Sequence, residues 1–272
     1  ARLRGVRAAV IEPAQHLPRG IRTLALCAAM VLVLPLVGLA SRAPWGTLVA
    51  QALAPEVLDA LWLSLGCSTV ATAFTLVLGL PLALWLAGAD GWLRTLVRVL
   101  VTLPMVLPPV VGGVALLFAF GRNGLIGGPV AEWFGVALPF TSGGVVLAEA
   151  YIALPFFVLA AEGGLRGMDR RYVEAAATLG ASPWRILTTV TLPLIAPSLR
   201  AGLLLAWARA LGEFGATITF AGNLAGRTRT MPLEVYAALE SSPEAASVLS
   251  LLLVLFSGGV LFALRHHWFP AR

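Results

Sequence analysis

Residues 143 to 161 read GGVVLAEAYIALPFFVLAA, nineteen positions with a single charged residue, Glu149. A helix of about 20 apolar residues crosses the hydrocarbon core of a bilayer, and only a structure that satisfies its own backbone hydrogen bonds survives there. The stretch therefore reads as a membrane span and gives a ruler for the rest of the chain. Runs of the same kind occur at Thr23 to Ala40, Leu61 to Ala87, Val99 to Phe120 and Ala245 to Leu264. One more, Pro197 to Phe220, is interrupted by Arg200, Arg209 and Glu213. The expected fold class is all-α integral membrane, with six transmembrane helices in one bundle. The run at Thr23 is longer than a signal-peptide core and contains Pro35, so it reads as a true span.

Composition agrees with that reading. Of 272 residues 59% are hydrophobic and 12% charged, and the mean hydropathy is +0.90, values foreign to an ordinary soluble domain. All 19 basic residues are Arg. Without lysine, P-loop nucleotide hydrolysis and Schiff-base chemistry are excluded. Cys27 and Cys67 lie in apolar runs, and the three histidines are His16, His266 and His267, so no set has metal-ligand spacing and no metal or cofactor is expected. With no histidine inside a span, a Ser-His-Asp triad in the membrane is excluded as well. The arginines form neither a block nor an aromatic-interleaved patch, which argues against nucleic acid as a partner.

The arginines report topology instead, because positive charge collects in cytoplasmic loops. Six spans place both termini on one side. With the termini inside, the cytoplasmic face holds Arg2, Arg4, Arg7, Arg19, Arg22, Arg94, Arg98, Arg166, Arg170, Arg171, Arg185, Arg265 and Arg272. The opposite face holds Arg42, Arg122, Arg227 and Arg229. The expected organisation is a cytoplasmic N-terminal segment at 1–22, a transmembrane domain at 23–265 and a cytoplasmic tail at 266–272.

The longest cytoplasmic connection, 162–193, is the most specific part of the chain. Asp169 is placed to cap a short helix starting near Arg170, and Gly180 suits the left-handed position just past its end. Ser182 and Pro183 read as N-cap and first residue of a second short helix, Trp184 to Val190, ending before Pro193. The small residues Ala175, Ala176, Ala177 and Ala181 let another surface approach closely. Tyr172 and Trp184 suit the lipid interface.

Written as a pattern, the connection is Glu174-Ala175-Ala176, three residues, Gly180, nine residues, then Val190-Thr191-Leu192-Pro193. It resembles the EAA loop of permease subunits from ATP-binding-cassette importers, with Val190 the one conservative departure. Leu103-Pro104-Met105-Val106-Leu107-Pro108-Pro109, and Ala208 to Thr217 with Arg209 and Glu213, resemble molybdate- and sulfate-type permeases. Asn223 and Arg227 to Leu233 are similar to the molybdate branch. The resemblance covers roughly residues 57–264.

It implies a type I importer permease fold with cytoplasmic coupling helices in a bacterial inner membrane. It also implies a homodimer, two cytoplasmic ATPase subunits below, and an extracytoplasmic oxyanion-binding protein above. Glu174, Ala175, Ala176, Gly180, Leu192 and Pro193 would couple the permease to the ATPase. The implied substrate is molybdate or tungstate, with sulfate or thiosulfate as the alternative branch. An ion-gradient-driven secondary transporter is the rival from another class. It would call for several intramembrane acids in matched halves, whereas Glu149 and Glu213 stand in unmatched settings.

Some residues keep two readings. Pro104, Pro108 and Pro109 each remove a backbone donor and break or kink a helix, either to line a translocation path or to let neighbours pack. Arg209 and Glu213, four apart, share a helix face as an ion pair or as part of a path for an anion. Glu149 reads as a polar contact to another helix. Arg227 and Arg229 are either solvated charge or an attractor for an anion or its carrier. His266 and His267 read as part of an interfacial anchor with Arg265 and Trp268.

Overall fold

The computed structural model describes residues 18–88 and 90–263. Arg2, Arg4, Arg7 and His16 lie outside the described residues, as does the tail with Arg265, His266, His267, Trp268 and Arg272. In chain order the helices are α1 (Arg19–Arg42), α2 (Leu48–Ala52), α3 (Pro55–Gly88), α4 (Trp92–Val106), α5 (Pro109–Phe120), α6 (Gly127–Phe134) and α7 (Ser142–Gly167). They continue as α8 (Arg171–Thr178), α9 (Pro183–Ile186), α10 (Leu192–Leu211), α11 (Gly215–Phe220), α12 (Met231–Ser241) and α13 (Pro243–Ala263). Among the described residues there is no strand. Among the described residues five helices are long and apolar enough to cross a membrane unaided: Gly20–Arg42, Pro55–Gly88, Ser142–Gly167, Pro183–Leu211 and Pro243–Phe262.

The apolar run at 143–161 lies in α7, at the centre. α3 and α10 flank it, while α1 rests against α13 with its apolar window wholly unburied. The interior is alanine-rich: Ala71, Ala83, Ala153, Ala161, Ala206 and Ala210 are buried across α3, α7 and α10. Lipid tails are as apolar as leucine, so helices gain from association in a membrane mainly by close van der Waals approach, which small residues permit. Phe157 of α7 is fully buried among them. A Cβ on Gly79 of α3 would stand 2.7 Å from its ring, and one on Gly202 of α10 3.3 Å. Lower down, a Cβ on Gly164 would meet Ser198 at 2.6 Å, so α7 and α10 touch backbone-close over more than one turn.

One expectation left open is decided here and two need correction. The third span is two helices, α4 and α5, broken at Leu107 and Pro108. A residue before proline is pushed out of the helical region, and here two successive residues precede one. Both are extended, Leu107 at ψ 139° and Pro108 at ψ 133°, and Pro109 then opens α5 at its first position, where a missing donor costs nothing. The fifth span ends at Leu211 and restarts as α11 at Gly215. Finally, the second short helix of the 162–193 connection does not stop before Pro193. It runs through a wide π-type turn, Leu187–Thr191, directly into α10. A proline has no N–H for the carbonyl four residues back and its ring crowds that carbonyl, so widening the preceding turn admits Pro193 without ending the helix. The Thr188 and Thr189 hydroxyls donate to carbonyls of Trp184 and Arg185 across that turn.

Candidate functional site

Two places gather the residues singled out in the sequence. The first is inside the bundle, where the two helix breaks meet. Gly215, first residue of α11, sits against Pro109, first residue of α5, so closely that a Cβ on the glycine would stand 2.7 Å from the proline Cβ. One turn on, a Cβ on Gly113 would meet Thr219 at 2.6 Å and the Ala216 carbonyl at 2.9 Å. Leu116, Ala148, Ile152, Ala216 and Phe220 close the contact with α7.

Glu213 holds the second break together. Its Oε2 lies 2.5 Å from Arg209 Nη2, and its Oε1 accepts the Ala216 N–H at 2.9 Å. One carboxylate thus neutralises Arg209 in the last turn of α10 and supplies an acceptor to the first turn of α11. The pair is asymmetric in exposure: the Glu213 side chain is 1% exposed and that of Arg209 29%. Glu149 of α7 is also buried, within electrostatic reach of Glu213 and Cys67. Its Oε2 has no hydrogen-bond partner among the described residues, so the contact expected of it is not made at that atom. Pro104 lies inside α4 and is buried, while Pro108 forms the break itself.

The second place is the connection after α7. No residue of α8 is buried, and Glu174 and Ala175 face outward. Asp169 fixes the start of α8 by accepting the Arg171 N–H at 3.0 Å and pairing with its guanidinium at 2.7 Å. The same hydrogen bonds hold the Asp169 carboxyl below the usual carboxylate range. The helix ends in a Schellman motif: the Gly180 N–H donates to the Ala177 carbonyl at 2.9 Å and the Ala181 N–H to that of Ala176 at 3.1 Å, with Gly180 at φ 81°. Ser182 then accepts from the Arg185 N–H and opens α9. Leu179 is 88% exposed, and Tyr172 and Trp184 are exposed beside it, so the loop presents an apolar tip. Leu192 and Pro193 begin α10 and tie the loop to the bundle.

On the other side, Arg229 is not simple solvated charge. Its Nε donates to Asn223 Oδ1 at 2.8 Å and its Nη1 lies 3.5 Å from Glu234, stapling the segment before α12, whereas Arg227 is exposed. Sequence reasoning missed one cluster entirely. Glu162, counted there as the edge of a loop, is buried in α7 between Arg98 of α4 and Arg166, the latter at 2.9 Å. The local signal was the four-residue spacing of Glu162 and Arg166; Arg98 is 64 positions away.

Residues 79–272 match the family described as "Binding-protein-dependent transport system inner membrane component". A protein of Mycobacterium tuberculosis, named molybdenum transport system permease protein ModB, is 44% identical over 251 residues, 92% of this chain and 95% of the other. The Escherichia coli K12 protein of the same name is 39% identical over 210 residues, 77% and 92% of the two chains. Among solved structures, a chain of a bacterial alginate ABC transporter superimposes with a TM-score of 0.70 at 17% identity, covering 90% of this chain and 93% of that one.

Proposed function

This chain belongs to the binding-protein-dependent transport system inner membrane components, and from that premise we propose that it is the permease of an ATP-driven importer for molybdate or tungstate. The family makes it a transport component. The observation that carries the finer reading is the loop 168–182. No residue of its α8 is buried, its tip exposes Leu179 and Trp184, and it joins α7 at one end to α10 at the other.

In this reading two cytoplasmic ATPase subunits receive the α8 helices of two copies of the chain, with Glu174, Ala175 and Ala176 at the contact and Gly180 setting the bend. Closure of the ATPases moves the loops, and Leu192 and Pro193 carry that displacement into α10. The spans then switch the path between its inward- and outward-facing forms. Sidedness follows from the arginine count: both termini, the 1–22 segment and the 266–272 tail are cytoplasmic, the third crossing being made by α4 and α5 together. An oxyanion-binding protein delivers its ligand on the opposite face, near exposed Arg227.

The meeting point of the two breaks serves as the path or its gate. Pro104, Pro108 and Pro109 shape one wall and Arg209 with Glu213 the other. Because the carboxylate is withdrawn and the guanidinium is partly open, a passing oxyanion meets positive charge first.

The test is ATP hydrolysis by the complex purified through this subunit and reconstituted in lipid, with its binding protein loaded with molybdate or with sulfate. Stimulation by the molybdate form alone supports the proposal, and stimulation by sulfate moves the substrate to the sister branch. Absence of a co-purifying ATPase removes the importer reading in favour of an ion-driven transporter. Gly180→Val has open space around its side chain but a φ of 81° that a β-branched residue resists, so it should leave the ATPase bound and abolish stimulated hydrolysis.

A further inference from the structure

The α8–α9 loop lies at one end of the molecule, and the α4–α5 break is reached from it through α4. The bundle needs a link between them. α7 runs unbroken from Ser142 to Gly167, only Met168 to Arg170 separate it from α8, and Asp169 and Tyr172 line one cavity with Gly163 and Gly167, which gives the loop a contact through which to push on α7. α4 takes α7 as its main packing partner, with Val97 and Val101 in the apolar cluster that α7 dominates. At its far end α4 stops at Leu107, the first of the two extended residues. Beyond it α5 is bound to α11 through Gly113 and Gly215.

Apolar packing alone is a weak way to drive α4. In a bilayer, a valine that leaves a neighbouring helix meets lipid tails instead, at little cost, so α4 can slip along α7. A buried charge is different. Glu162 is 4% exposed, and its carboxylate faces Arg98 Nη2 across the α4–α7 interface. Displacing α4 along α7 pulls the one-third-exposed Arg98 guanidinium off a buried carboxylate and leaves that carboxylate to Arg166 alone, so the pair resists slipping more than the apolar contact does. The second cation, Arg166, sits one turn on in the same helix as Glu162. It cannot transmit anything between helices, but it keeps the carboxylate compensated. The two arginines therefore have distinct duties: Arg98 joins two bodies and Arg166 neutralises one.

We propose that Glu162, through its pair with Arg98, is the positioning residue that carries movement of the α8–α9 loop into the broken passage α4–α5. The proposal rests on the reading of that loop as the ATPase contact. It adds a named link that neither the loop pattern nor the proline break contains.

The experiment uses the complete complex in lipid, with ATPase subunits and molybdate-loaded binding protein, and reads three things: ATP hydrolysed per anion taken up, co-purification of the ATPase, and the thermal unfolding midpoint. Arg98→Gln should raise ATP consumed per anion about tenfold with the ATPase still bound, while Arg166→Gln should leave the ratio within about twofold. The reversal R98E/E162R/R166E, which inverts every charge of the cluster and keeps an opposite pair across the interface, should bring the ratio back towards that of the unaltered complex. A merely structural charge cluster gives another pattern, in which both glutamine variants lower the midpoint and impair uptake alike, and that result overturns the proposal. So does an Arg98→Gln complex with an unaltered ratio when the unaltered complex is itself stimulated, an outcome that leaves the loop reading standing. If Arg98→Gln does not assemble, R98E/E162R/R166E decides: assembled and coupled supports the link, while assembled and uncoupled, or not assembled, refutes it. If the unaltered complex shows no stimulation, the loop reading fails and this proposal with it.

Discussion

The two helix breaks face one another, yet they are made differently. The α4–α5 break is a subtraction: two prolines remove donors and force Leu107 and Pro108 into extended backbone, and no charge is spent on it. The α10–α11 break is an addition, in which Glu213 places one oxygen on Arg209 and the other on the Ala216 amide. A break by omission is permanent, since the missing N–H groups cannot be restored by any movement. A break held by a carboxylate depends on the carboxylate staying where it is. The contrast marks the Leu107–Pro108 break as the one that stays open in every state and the Gly212–Phe214 segment as the one that can be rearranged.

The sharpest way to break this contrast is Glu213→Ala. It strands Arg209 in an apolar span and orphans the Ala216 amide, and should cost about 3 to 5 kcal/mol, read as a fall in the unfolding midpoint of the detergent-solubilised protein. Next comes the contact itself. Gly113→Ala puts a methyl 2.6 Å from Thr219 Cβ and should cost about 1 to 3 kcal/mol by overpacking, whereas Gly66→Ala in α3, with nothing within 4 Å, should be neutral or slightly stabilising. Pro108→Ala should cost less than about 1 kcal/mol, mostly through the freer unfolded chain, because Pro109 still holds position 108 extended. If that variant proves as damaging as Glu213→Ala, the proline break is not the passive one.

The smallest effect belongs to Asp169, an exposed carboxylate that also serves a helix start and so isolates the contribution of burial. Its folded-state pKa is lowered by Arg171, so its contribution is complete above the usual carboxylate range and fades as pH falls through the lowered value. Protection of the Arg171 amide against exchange, corrected for intrinsic rate, should therefore be flat from neutral pH down to about 5 and decline only below the usual Asp range. A decline already at about pH 6 would contradict the assignment.

What the sequence disclosed follows the same division. The spans were legible because a run of apolar residues is the physical cause of membrane insertion, and the break at Pro108 because proline acts on its immediate neighbours. Gly180 was legible for the same local reason. The break at Gly212–Phe214 was not: an arginine and a glutamate four apart read as a pair on a continuous helix, and nothing local shows that the acid also reaches forward to Ala216. Nor was the wide turn at Leu187–Thr191 legible, since Pro193 looked like an ordinary terminator. The Arg98–Glu162 link depends on the placement of two distant spans, which the tertiary fold alone decides.

That wide turn has a consequence for how the chain tolerates insertion and deletion. From Pro183 to Leu211 the backbone is one uninterrupted rod, so the residues from Pro183 to Val190 are an angular setting and not slack. Each residue added or removed between Ser182 and Leu192 would rotate α9 about the α10 axis by about 100° and swing the exposed tip away from its present heading. In most proteins a surface connection is where length varies freely; here the connection acts as a dial, and its count of residues is part of the mechanism.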